Sequence, residues 1–153
     1  YKRQDVFSSS HWTTGSVCDP TEYVFFTIRP EAGYSLDLWK LTWDVSRSSS
    51  GPQKGRVSLF KNGILVESSA DYTIDTTTTS QVFDFADLNA RGSDLLEFRF
   101  YGWNATSTGN LRLDNVSAMG RITPVPEPAP IASVTAGSLL MVAIHRRLKA
   151  RQA

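Results

Sequence analysis

The chain of 153 residues has one cysteine, Cys18, and two histidines, His11 and His145. A single thiol can neither close an intramolecular disulfide nor build a cysteine-rich zinc site. No Gly-x-Ser-x-Gly nucleophile elbow and no glycine-rich phosphate loop occurs. A Ser-His-Asp triad would have to use His11, since His145 adjoins an apolar C-terminal run. The plainer reading of His11 is a surface residue in a polar segment. Asp84, Asp87 and Glu97 are the candidates for a glycosidase carboxylate pair, but strand faces ordinarily carry such charges.

Excess charge of one sign is also missing. Residues 1–125 carry 12 Lys and Arg against 14 Asp and Glu, so this part is slightly acidic. The basic surplus sits at the end of the chain. The overall pI of about 8.1 therefore reports that end, and no basic stripe of the kind that holds nucleic acid is present. The start, Tyr1-Lys2-Arg3-Gln4, has no methionine and no apolar leader core. An exported form of the protein is expected to carry its leader outside this sequence.

Helical periodicity is almost absent before residue 126, and strand-forming residues are plentiful. Tyr23–Ile28 reads as a strand. Leu36 and Leu38 alternate on one face, and Leu41, Trp43 and Val45 alternate in the opposite phase. The switch near Trp39 and Lys40 calls for a bulge or a break. Asn62-Gly63 is the preferred type I′ turn and places a hairpin over residues 56–68. Gln81–Phe85 reads as a short strand and Asp87–Asp94 as turn-like, with one helical turn around Leu88. Leu96, Phe98 and Phe100 alternate cleanly, Trp103–Asn110 is a loop, and Leu111–Val116 is the last strand. Eight or nine short strands with frequent turns predict an all-β domain, an antiparallel β-sandwich of jelly-roll type.

Sandwich domains bind sugars by stacking rings on exposed aromatic faces. Trp103, Tyr101 and Trp39 are the candidate platform. Trp43 shares its phase with core residues, Trp39 can face either way, and Trp103, in a polar loop, is the leading candidate. Asp114-Asn115 interrupts an apolar strand. Asp114 is either a ligand of a structural calcium ion or, as favoured here, a side chain that bonds nearby backbone at a strand bend. No other cofactor is expected.

The last 28 residues have a different character. Pro126-Glu127-Pro128 is held out of helix and sheet by its prolines. The run from Ile131 to Ile144 has 14 residues without a charge, short of the ~20 needed for a full membrane span. Arg146, Arg147, Lys149 and Arg151 form a basic end that stays on the cytoplasmic side by the positive-inside rule. The order of motif, apolar run and basic end closely resembles the PEP-CTERM sorting tail of bacterial surface proteins. The resemblance covers about the last fifth of the chain. It implies recognition by an exosortase, a membrane-embedded cysteine transpeptidase, and processing near Pro126-Glu127-Pro128. Upstream, Phe98–Gly102, Leu111–Val116 and Ser48–Pro52 resemble parts of the carbohydrate-binding-module-like jelly rolls found on such proteins.

The expected organisation is a sandwich over residues 1–122 and a proline-rich linker over 123–130. A transmembrane helix over 131–145 and a basic cytoplasmic tail over 146–153 follow. The expected protein is non-catalytic, exported, and anchored transiently in the membrane before reaching the cell envelope or extracellular matrix. There it binds polysaccharide. The alternatives are a secreted enzyme of the glycoside-hydrolase class and a purely structural matrix protein.

Overall fold

The computed structural model describes residues 7–126. Among these residues there are nine strands and no helix. The strands are β1 (Phe7–Ser9), β2 (Tyr23–Ile28), β3 (Tyr34–Arg47), β4 (Lys54–Lys61), β5 (Ile64–Ser68), β6 (Tyr72–Thr73), β7 (Thr79–Arg91), β8 (Leu96–Trp103) and β9 (Leu111–Pro124). They form two antiparallel sheets. The first has the order β1-β9-β3-β7 and the second β2-β8-β4-β5, with β6 added to β4.

Alternation along the strands sends every second side chain between the sheets. From the first sheet come Leu41, Trp43, Val45, Phe83 and Leu113; from the second come Val57, Leu59, Leu96, Phe98 and Phe100, all buried. The rings interlock: Trp43 meets Phe100 edge-on at 5.5 Å between centroids, and Phe26 stacks on Phe98 at 5.1 Å. Such pairs each add about 0.5–1.5 kcal/mol beyond the area they bury. Trp12 closes one end of the core at 6% exposure, its indole nitrogen donating to the Ser9 carbonyl at 2.9 Å. Gly102 leaves room for it, because a Cβ there would stand 3.1 Å from the Trp12 ring.

The phase switch in β3 is a bulge within one continuous strand, and the register against β7 and β9 shifts between Leu38 and Lys40. Leu38 and Leu41 both reach the core, so Trp39 and Lys40 share the outer face. The Asn62-Gly63 turn also forms as read, with φ of 53° and 79° at its two residues.

Three strands run longer than expected. β7 continues through Leu88 to Arg91, so Asp87–Asp94 holds no helical turn. It stays extended because Leu88 and Ala90 pair with Leu38 and Leu36 of β3. Trp103 ends β8 and does not open a loop. β9 runs past Gly120 to Pro124, paired with Tyr34. The sheet therefore extends two residues beyond the expected boundary at 122, into the segment read as linker. The 131–145 helix and the 146–153 tail lie outside the described residues.

Candidate functional site

The three residues expected to form a sugar platform are not together. Trp39 is 40% exposed on the outer face of the first sheet, whereas Tyr101 and Trp103 belong to the second sheet and are only 6% and 4% exposed. Trp103 is covered by distant chain. Asn104 N donates to Gly15 O at 2.9 Å and Ala105 N to Thr13 O at 3.1 Å, which lays the N-terminal segment across this end of β8. The Arg56 guanidinium lies 5.7 Å from the centre of the Trp103 ring. Cys18, on the same segment, is close enough to Tyr101 and Arg56 to act on them electrostatically. Burial pushes the Cys18 thiol up, with Arg56 opposing, and burial likewise pushes up the Tyr101 phenol. A nucleophilic thiol needs the opposite shift.

Asp114 serves the backbone. Its Oδ1 accepts from Asn115 N at 2.7 Å, while Asn115 Nδ2 donates to Asp44 Oδ2 at 2.7 Å. Asn115 has a φ of 50°, and the β3–β9 register shifts at this point. The pair thus builds a strand bend. Among the described residues, no group of three or more His, Cys, Asp and Glu side chains is placed to hold a metal ion.

Of the carboxylates considered for hydrolysis, Glu97 is on a different sheet from the other two. Asp84 lies on β7 of the first sheet, 3.1 Å from Lys40 Nζ, and Asp87 is on the same strand. Glu97 lies on β8 of the second sheet. His11 is exposed, has a φ of 67°, and shares a 2.9 Å hydrogen bond with the Ser10 hydroxyl.

The outer face of the second sheet holds a cluster that single-strand reading does not reveal. On β8, Leu96, Phe98 and Phe100 face the core, so Glu97, Arg99 and Tyr101 face outward. The pairing with β2 sets Thr27 beside Glu97, Phe25 beside Arg99 and Tyr23 beside Tyr101. On the other side, β4 sets Phe60 beside Glu97. The Arg99 guanidinium lies between two rings, 4.5 Å from the centre of Tyr23 and 3.9 Å from that of Phe60. It is also ion-paired and hydrogen-bonded to Glu97. Tyr23 in turn lies 6.0 Å from Phe25 and 5.6 Å from Tyr101, centroid to centroid. The rings and the carboxylate fix a side chain that is otherwise rich in rotamers. Phe25 forms the outer edge of this array, 60% exposed.

Such a face has an apolar ring for stacking, an ordered guanidinium for donating and a carboxylate for accepting. The signal for it lies in three strands at once: the aromatic run Tyr23–Phe26, the alternation of β8, and Phe60 just before the hairpin turn. Pro126 is exposed two residues after the end of β9, and Glu127, Pro128 and the basic residues Arg146, Arg147, Lys149 and Arg151 lie outside the described residues. Set against models of known protein families and against curated proteins, the chain matches none.

Proposed function

We propose that this is a non-catalytic, exported bacterial surface or matrix protein whose β-sandwich binds polysaccharide through the outer face of β2, β8 and β4. The observation that carries the binding reading is Phe25, a large ring 60% exposed next to the Arg99–Glu97 pair. An exposed ring stacks on the C–H face of a sugar, while fixed polar groups beside it select the hydroxyl pattern. Thr27, exposed and paired with Glu97, adds a hydroxyl along the same row. The strand order supports a jelly roll: with β6 set aside, β1-β9-β3-β7 facing β2-β8-β4-β5 is the order that two interlocked Greek keys produce.

The sorting half of the reading rests on the sequence of the tail. Pro126-Glu127-Pro128, the uncharged run and the basic end follow each other as an exosortase substrate requires. The short run suits a temporary stop in the membrane better than a permanent span. Changing Pro126, Glu127 and Pro128 to alanine is expected to leave unprocessed protein in the membrane fraction; normal maturation would contradict the reading.

Affinity electrophoresis through gels containing soluble polysaccharides tests the binding half. Phe25→Ala is expected to lose retardation that the parent shows, and Trp39→Ala to keep it. Retardation lost with Trp39→Ala and kept with Phe25→Ala would move the site to the opposite sheet and overturn the assignment.

A second reading, a structural matrix protein without a ligand, draws on β5. This edge strand exposes Ile64, Leu65 and Val66 in succession, at 73%, 54% and 42%. Such an edge invites pairing with another chain. The hydrolase alternative would have to use Asp84 and Asp87 on β7, since Glu97 lies on the other sheet.

A further inference from the structure

The two sheets do not close on each other along the seam between β2 and β9. One cleft of about 510 Å³ is lined by Phe7, Val24, Phe26, Ile28, Leu113 and Val116. A second, of about 500 Å³, is lined by Ile28, Tyr34, Leu36, Leu38, Ala118 and Ile122. Both include Ile28 and Arg29, so together they form one apolar groove along the seam. Among the described residues, which begin at Phe7, β1 covers β9 from Leu111 to Leu113. Among the described residues, the same edge of β9 from Asp114 to Pro124 has no strand partner.

Ile122 marks the consequence. Its register partner Leu36 points into the core and is 8% exposed, and paired residues share a face of the sheet. Ile122 is nevertheless 69% exposed. An inner-face isoleucine is thus left in water at the end of the sheet.

The point where the chain leaves the sheet identifies the occupant. Val125 N donates to Gly33 O at 2.8 Å, beside Tyr34 at the rim of the second cleft. Residues 127–153 follow, and they include Ile131–Ile144, which carries no charge. That run has to be covered whenever it is outside a membrane. From Val125 the proline-rich connection to Ile131 spans ~19 Å at ~3.1 Å per residue, enough for the run to reach the groove.

We propose that before it enters a membrane, the apolar run Ile131–Ile144 docks in this groove of its own chain, covering Ile122. The sandwich then acts as an intramolecular shield for its tail. The inference needs the run to be apolar, not to be a sorting signal, so it stands or falls separately from the reading above.

Hydrogen exchange on the full chain in detergent-free buffer tests it. The amides of residues 114–124 are expected to exchange at least tenfold faster in a Leu139→Asp/Leu140→Asp variant than in the parent. Amides in β4 and β8 should be unchanged. Ile122→Asp, at an exposed position, is expected to speed proteolysis within 131–144. Lipid micelles should draw the tail out and reproduce the variant's exchange. Equal exchange in parent and variant would overturn the proposal, as would equal proteolysis with and without Ile122→Asp. Protection that grows with protein concentration would assign the groove to a second copy's tail and overturn it as well. So would a parent chain that aggregates without detergent.

Discussion

Phe25 and Arg99 stand directly opposite each other where β2 pairs with β8. One is an exposed ring on an edge strand of the sheet. The other is a cation held between Tyr23 and Phe60 and tied to Glu97. The pairing places a stacking surface beside a fixed donor, and the proposed polysaccharide site follows from it.

Arg99→Lys keeps the charge but loses the planar group that lies between the two rings. Stability is expected to fall by about 0.5–1 kcal/mol, the range of an accessible cation–π contact. Polysaccharide affinity should fall several-fold, because the donor is no longer fixed. Urea denaturation and binding titration check the two effects separately.

Trp103→Ala is expected to act on the fold. The ring is 4% exposed beneath Arg56 and the N-terminal segment. Removing a buried tryptophan costs about 3–5 kcal/mol, which a shift in the denaturation midpoint will show. At temperatures where the variant stays folded, ligand binding should be close to that of the parent.

How much of this is legible in the sequence depends on how local the cause is. The bulge at Trp39 is legible because Leu38 and Leu41 must both reach the core, which fixes the phase switch. Asn62-Gly63 is legible because few residue pairs accept two positive φ angles. The burial of Trp103 is not, since the cover comes from residues 13–18, far away in sequence. The lengths of β7 and β9 are hidden for a similar reason. Asp87–Asp94 looks like a turn until Leu88 and Ala90 find Leu38 and Leu36 on β3. The Arg99 cluster needs three strands in register, and alternation on β8 alone tells only that Arg99 faces away from Phe98 and Phe100.

Two loops at one end of the sandwich pack backbone to backbone. Ser48 N donates to Asn110 O at 3.0 Å and Thr106 N to Ser50 O at 3.2 Å. A Cβ at Gly109 would overlap the Gly51 backbone, which cannot turn aside as a side chain would. Gly109→Ala is therefore expected to destabilise by about 1–3 kcal/mol, measured by chemical denaturation.

Asp94 joins the hairpin turn to the β7–β8 connection. It accepts from Asn62 Nδ2 at 2.8 Å, from Arg91 N at 2.9 Å and from Lys61 Nζ at 3.0 Å. These bonds, that of Asn62 first, hold its carboxyl at about 2, below the usual 3.8. The folded state thus favours the ionised form. The stabilisation is fully present above the unfolded value and is lost as pH falls through the folded one. Asp94→Asn should remove part of the stability loss between about pH 4 and pH 2. Some loss should remain, since Asp19 is also shifted down by its hydrogen bonds to Thr21. Denaturation midpoints at pH 5 and pH 2 for both proteins check this.

The central claim is that the outer face of β2, β8 and β4 is the ligand face. Backbone amide shifts recorded during titration with a bound polysaccharide fragment test it most directly. The expected result is a patch of shifting amides confined to residues 23–27, 58–60 and 97–101. Shifts centred on Trp39 and Met119, on the outer face of the opposite sheet, would contradict it.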